Sequence, residues 1–459
     1  MKITHDKEGT NDLDTYYKNN SDLFPPCEPS DKIDWLCISP YDAKETLYYI
    51  FRMLVLPGGI AAIIIFVVLF ESYVNFITQL ISFGLMYVGN LLIIIFYWEK
   101  RRANRFAIPE SKVLKPGIFT LNSIKEPSLS IGFVGDMMMM RKYTLTFDNL
   151  IKDFFRDVDF IVGNLEGIVI DKKPHLTQQA HPEEILTPLA SLLQNKSKWL
   201  MCVSNNHSID FGNSKFNDSI KIIQEPNDPQ NQKKFNTFGR FDVPKVFFDS
   251  DYCISTGTKW SNQKNWKCIS RFIDSEPERN YSKSKFNILY PHWGYENERY
   301  VRTSIQDKGR ELLTAGEKKW GLIFGHHPHV RQPVMVVKDK LMKPDGRPLK
   351  GLDGNDLVIK KLVAFSGGNF TSGVNFLRKK KHIHGIIMRC EIGRLTNYPE
   401  EFAVGEVNLQ NTFNEKVPNS QQKTKIVKIG DGISGRSRFY YVILGILLLI
   451  TVILLELFG

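Results

Sequence analysis

Seven short apolar runs punctuate the chain between residues 129 and 368: LSIGFVG (129–135), VDFIVG (158–163), WLMCV (199–203), VFF (246–248), FNILY (286–290), GLIFG (321–325) and LVAFSGG (362–368). Runs this short and this unbroken by polar residues suit strands buried on both faces, and such strands need a covering layer on each side. Stretches of helical periodicity, Phe147 to Phe155 and Pro188 to Leu193, lie between several of them. The pattern predicts an α/β sandwich over residues 125–405.

The residues at the strand ends carry the chemistry. GFVGD ends in Asp136, FIVGNLE in Glu166, and MCVSNNH in Asn206 and His207. LYPHWG carries His292, and IFGHHPHV carries His326, His327 and His329, so five of the ten histidines lie at strand ends. Ligands of open α/β sheets bind beyond the carboxyl ends of the strands. Carboxylate, amide oxygen and imidazole converging there suit hard-to-borderline divalent metals. A single Asp after a strand is an ordinary turn former, NNH an ordinary Asx-turn and HWG an ordinary core histidine. Three imidazoles within four positions are not ordinary packing, and the ordered set of five motifs predicts a metal site. His327 and His329 are i, i+2 neighbours, and an extended backbone would point both to one side.

Three further runs call for a different solvent. No charge falls between Arg52 and Glu71, nor between Glu71 and Glu99, and FYYVILGILLLITVILL (439–455) is a third such run. Each is long enough to cross a hydrocarbon core of about 30 Å at about 1.5 Å per residue. The expected organisation is a polar lead-in (1–50), two transmembrane helices (53–98), the α/β domain (125–405), a basic linker (406–438) and a last transmembrane helix (439–455). Residues 1–50 lack the apolar core of a signal peptide. Arg52, Lys100, Arg101, Arg102, Arg105, Arg436 and Arg438 flank the spans on one side, and the hairpin turn carries no Lys or Arg. The positive-inside rule then puts the large domain in the cytoplasm.

The formal charge is +11. Its basic residues concentrate beside the spans and in the linker without interleaved aromatics, which argues against nucleic acid as a partner. The Arg378–Lys381 cluster reads as a solvated loop. Six cysteines without a CxxC pair form neither a disulfide framework nor a thiolate zinc site.

In order, GDMMMMR (135–141), VGNLEG (162–167), SNNHSIDFG (204–212), HWGYE (292–296), GHHPHV (325–330) and SGGNF (366–370) resemble the motifs of the capsule synthesis protein CapA family. This family of poly-γ-glutamate biosynthesis lies within the calcineurin-like metallophosphoesterase superfamily. The resemblance implies a metallophosphoesterase-like α/β/β/α sandwich with a metal site at one edge. It implies Asp136 as first carboxylate ligand, Glu166 as bridging carboxylate, and Asn206, His292, His327 and His329 as further ligands, with His326 competing for one of these places. It implies His207 facing the substrate as acid or hydrogen-bond donor. Arg141 is placed to neutralise substrate anion charge by bidentate contact. Met138 stands where the wider superfamily has an imidazole, and a thioether is a poor ligand for hard ions.

The expected cofactor is one or two divalent ions, Mn, Fe or Zn. The expected function is a membrane-anchored, metal-dependent phosphoesterase-like protein of capsule or surface-polymer biosynthesis. Its partners would be the lipid bilayer, an anionic polymer or phosphoester substrate, and other subunits of polymer synthesis. The alternative is a non-catalytic scaffold of a polymer synthase or export complex that keeps the fold. Family members are commonly anchored with this domain outside the cytoplasm, in conflict with the charges.

Overall fold

The computed structural model describes residues 3–5 and, apart from short stretches, 113–430. The chain divides into two units, Met1–Trp35 with Ile108–Gly432, and Leu36–Ala107 with Ile433–Gly459. The second unit, which holds all three expected membrane spans, lies outside the described residues. No helix among the described residues is long and apolar enough to cross a membrane.

Two large sheets face each other. In the first, the strands run in the spatial order Phe235–Phe238, Lys198–Cys202, Phe160–Leu165, Ile124–Met137, His384–Leu395, Phe402–Lys416, Thr424–Ile429 and Thr144–Phe147. In the second, the order is Ile3–His5, Lys245–Phe248, Tyr252–Ser255, Phe286–Leu289, Leu322–Phe324, Val358–Ala364, Val334–Lys340 and Val113–Leu114. The motif-bearing strands are parallel neighbours. Ile124–Met137, Phe160–Leu165 and Lys198–Cys202 pair in parallel, as do Phe286–Leu289, Leu322–Phe324 and Val358–Ala364. Their carboxyl ends therefore emerge together at one edge of each sheet.

Alternation along these strands sets the layers. Ile131, Phe133, Val162 and Leu200 point inward against Ile288, Tyr290, Leu322 and Phe324 of the facing sheet. Val134, Ile161, Trp199 and Met201 point outward, beneath Ile151, Leu189, Phe216 and Ile220 of the helices Asn149–Phe154, Leu186–Ala190 and Asn213–Gln224. On the far side Leu289, Ile323 and Val363 pack against Leu312 and Leu313 of the helix Thr303–Thr314. The order is helix, sheet, sheet, helix. Burying one such large side chain is worth about 1.5–3 kcal/mol, so strands covered on both faces hold the motif ends firmly.

Two local features shape the edge where the site lies. Pairing between Ile124–Met137 and Phe160–Leu165 shifts register between Phe133 and Asp136. There Tyr290 Oη donates to the Val134 carbonyl at 2.6 Å, tying the two sheets together. Losing that hydroxyl would leave a buried acceptor at a cost of about 1–3 kcal/mol. At Gly135 an added Cβ would lie 1.9 Å from the Gly368 carbonyl. The GD and SGG motifs therefore carry glycine because their backbones touch.

The expected linker is corrected. Phe402–Lys416 and Thr424–Ile429 are strands of the first sheet, paired along Thr412–Lys416 and Lys425–Ile429. The Asn, Gln and Lys content hid them because the buried face is itself polar: Thr412, Asn414 and Lys425 are buried. Lys425 Nζ donates to the Ser372 carbonyl and lies over the Tyr143 ring. The lead-in also contributes an edge strand, Ile3–His5, antiparallel to Lys245–Phe248.

Candidate metal centre

Asp136 ends the Ile124–Met137 strand but for one residue, and Glu166 directly follows Phe160–Leu165. Asn206 and His207 lie in the turn after Lys198–Cys202, His292 shortly after Phe286–Leu289, and His326 to His329 after Leu322–Phe324. All are buried. Arg141 lies outside the described residues.

Asp136 is surrounded by donors. Its Oδ1 accepts from Asn164 Nδ2 at 2.8 Å, and its Oδ2 from the His327 amide at 3.1 Å. His329 Nδ1 lies 3.0 Å from Oδ2 and His326 Nδ1 3.4 Å from Oδ1. Burial alone would raise the Asp136 carboxyl, but the imidazoles of His326 and His329 beside it outweigh burial and hold it well below the usual range. Burial opposes charge on the imidazoles too, yet Asp136 lifts His326 to about 9 and His329 to about 10. The other nitrogen of His326 faces Cys202 Sγ at 3.9 Å, and its ring stacks on Tyr290. That engagement gives His326 the part of a support for Asp136.

Glu166 differs. Its Oε2 accepts from Asn164 Nδ2 at 2.5 Å, while its buried Oε1 accepts no hydrogen bond and lies 3.9 Å from His292 Nε2, which has no partner either. Burial raises the Glu166 carboxyl and pushes His292 well below its ordinary value. Thr258 engages the other side of the His292 ring. Its Oγ1 lies 2.7 Å from His292 Nδ1 and 2.9 Å from the Trp260 carbonyl, so Nδ1 is taken up by the hydroxyl and Nε2 is the nitrogen turned toward Glu166. His292 Nε2 faces Glu166 Oε1 across 3.9 Å without a hydrogen bond. Two buried polar atoms at 3.9 Å are too far apart to hydrogen-bond. Two metal bonds of about 2.0–2.2 Å span that gap. The donor set fits a divalent ion.

His207 sits apart in character. Its Nδ1 lies 2.7 Å from Asp210 Oδ2, which also accepts from the Gln179 amide at 3.0 Å. Burial would lower His207, but the Asp210 hydrogen bond prevails and raises it. At 8% it is more exposed than His292 or His327, both 0%. Asn205 anchors the same turn: its Nδ2 donates to Asn164 Oδ1 at 3.0 Å and to the Leu165 carbonyl at 2.8 Å. The NNH and NLE motifs are thereby bonded side by side, with Asn206 buried between Asn205 and His207.

One expectation about backbone is corrected. His327 and His329 are not extended neighbours: both adopt left-handed backbone, φ +99° and +56°. Non-glycine residues rarely hold that conformation, and such strain clusters at functional sites. The rings still converge, 5.8 Å apart, with His327 4.2 Å from the His292 ring. Asp136, Glu166 and His329 offer ligand atoms within 4.8 Å of one another, and so do Glu296, His327 and His329.

Similarity to known proteins falls on the same motifs. A family model described as bacterial capsule synthesis protein PGA_cap matches residues 262–374, which contain HWGYE, GHHPHV and SGGNF. "PGA biosynthesis protein CapA" of Bacillus subtilis (strain 168) is 23% identical over 242 residues, 45% of this chain and 59% of that protein. "Capsule biosynthesis protein CapA" of Bacillus anthracis is 23% identical over 246 residues, 47% of this chain and 57% of that protein. The chain is thus similar to CapA proteins, with the family-model match confined to residues 262–374. Its match spans less than two thirds of either relative's length. A crystal structure described as a novel phosphatase from Mycoplasma pneumoniae is 13% identical, covering 61% of this chain and 92% of that one, but its TM-score of 0.32 is too low to bear on function.

Within these motifs, the residues that sequence reasoning passed over are supporting ones. Asn164 lies in VGNLEG, Asn205 and Asp210 in SNNHSIDFG, and Glu296 in HWGYE, so their positions were at least marked. Thr258 lies in no motif, and only the fold brings it to His292.

Proposed function

We propose that this chain is a membrane-anchored, metal-dependent phosphoesterase-like protein acting in capsule or surface-polymer biosynthesis. The observation that carries the metal half is the pair of buried polar atoms, Glu166 Oε1 and His292 Nε2, facing each other at 3.9 Å with no hydrogen-bond partner among the described residues. Glu166, Asn206, His292, His327 and His329 would hold the ion, with Asp136 bound to it or aligning His329. A bound divalent ion polarises a phosphoryl or acyl oxygen and lowers the pKa of coordinated water toward neutrality. The remaining work falls to the chain. Asp210 fixes the orientation of His207, whose outer nitrogen supplies a proton to the departing oxygen. Asn164 holds the two carboxylates of the site at fixed separation through one amide group. The CapA family supports the polymer half of the proposal.

A second reading, a scaffold that keeps the fold without turnover, draws on Met138. Its backbone is fixed at both groups by Thr371, with hydrogen bonds of 3.2 and 3.0 Å, and it supplies no imidazole. One assay separates the two. The purified chain, stripped by chelator, should hydrolyse an activated phosphomonoester or diester only after Mn, Fe or Zn is restored. A chain that binds metal and shows no metal-dependent turnover on phosphoesters or amides is the scaffold.

The anchoring rests on the three charge-free runs. A reporter inserted at the exposed Gly354 turn should report the cytoplasm and one after Gly459 the opposite side. Gly354 outside would reverse the sidedness and leave the spans in place.

A further inference from the structure

Glu296 sits four residues after His292, on the segment between the strands Phe286–Leu289 and Leu322–Phe324. Its side chain is 24% exposed, and its Oε1 lies 4.0 Å from His329 Nε2. That separation is too long for a hydrogen bond and falls in the range two ligands of one ion span. The orientation of His329 gives the contact its meaning. Its Nδ1 is committed to Asp136 Oδ2 at 3.0 Å, so Nε2 is the nitrogen left for a metal, and Nε2 faces Glu296. Carboxylate, imidazole and metal in line are the usual way a protein aligns a histidine ligand. Asp136, already accepting from Asn164 and from the His327 amide, fits the aligning role better than direct ligation. Glu296 and His329 together with His327 bring one ligand atom each within 4.8 Å of one another.

We propose that Glu296 is a metal ligand, sharing a divalent ion with His327 and His329 Nε2 while Asp136 orients the His329 ring from behind. The inference rests on the metal-centre reading above and adds a ligand to it. The only bonds formed are those of the ion to the Glu296 oxygen and the imidazole nitrogens, and no covalent bond to carbon is made or broken. The ion displaces the proton from His329 Nε2 and releases it to solvent.

The test uses the full-length chain, chelator-stripped, with Mn2+ and Co2+ as probes. Glu296→Gln should raise the dissociation constant of one Mn2+ equivalent by about tenfold or more, since even residues that only align a ligand are worth about 10–100-fold. Its far-ultraviolet circular dichroism in chelator should match that of the unchanged chain. Glu296→Cys loaded with Co2+ should develop a thiolate-to-cobalt charge-transfer band that the unchanged chain lacks, a signature only direct ligation produces. Weakened Mn2+ binding without that band would make Glu296 an outer partner and overturn the proposal. Unchanged Mn2+ binding in Glu296→Gln would overturn it too. If the unchanged chain binds neither probe, the metal-centre reading itself fails, and the inference falls with it.

Discussion

Replacing His207 by alanine should lower metal-dependent turnover on a phosphoester by about 10²–10⁴-fold, the range for loss of a positioned proton donor. Metal content should not change, because the imidazole is tied to Asp210 and is more exposed than the histidines that face Glu166. Asp210→Ala should lower turnover as well, by less, since the imidazole stays while its orientation is lost. A steady-state assay with metal analysis of the same samples reads both. If His207→Ala keeps the full rate, the proton comes from another group. If it loses metal along with the rate, His207 is a ligand and its assignment is wrong.

The second large effect is on metal affinity. His292→Ala removes the nitrogen that faces Glu166 Oε1, and it should cost metal binding about a hundredfold or more, beyond the 10–100-fold typical of aligning partners. Thr258→Val is the subtler variant. Valine has the shape of threonine but makes no hydrogen bond to Nδ1, so the His292 ring is no longer held from that side. An affinity loss of about 10–100-fold is expected, with the fold intact. Isothermal titration of stripped protein with Zn2+ or Mn2+ measures both. An unchanged affinity in Thr258→Val would mean that the Thr258 contact does not help hold His292 for the metal.

The buried strands and the carboxyl-end residues were legible because both leave local marks: unbroken apolar runs for the first, and polar residues immediately after them for the second. The seven runs each fall on or beside a strand; the stretch Phe147 to Phe155 contains the helix Asn149–Phe154, and Pro188 to Leu193 overlaps the end of the helix Leu186–Ala190. The features that stayed hidden depend on long-range packing. Thr412, Asn414 and Lys425 read as linker residues, yet the first sheet buries them. The left-handed His327 and His329 came out of a motif whose spacing suggests extended chain. Thr258 is 34 residues from His292 and meets it only because Tyr252–Ser255 and Phe286–Leu289 are parallel neighbours. Asp136 looked like a ligand from its place after a strand. Only the donors around it show a carboxylate whose oxygens are already engaged.

Everything proposed for the metal centre requires Glu166 Oε1 and His292 Nε2 to be two ligands of a single divalent ion. Crystals of the protein soaked in Mn2+ and measured at a wavelength where manganese scatters anomalously test it without any assay. The expected result is an anomalous peak within bonding distance of both atoms, lost in His292→Ala. A peak that touches neither atom, or none at saturating Mn2+, would contradict the claim.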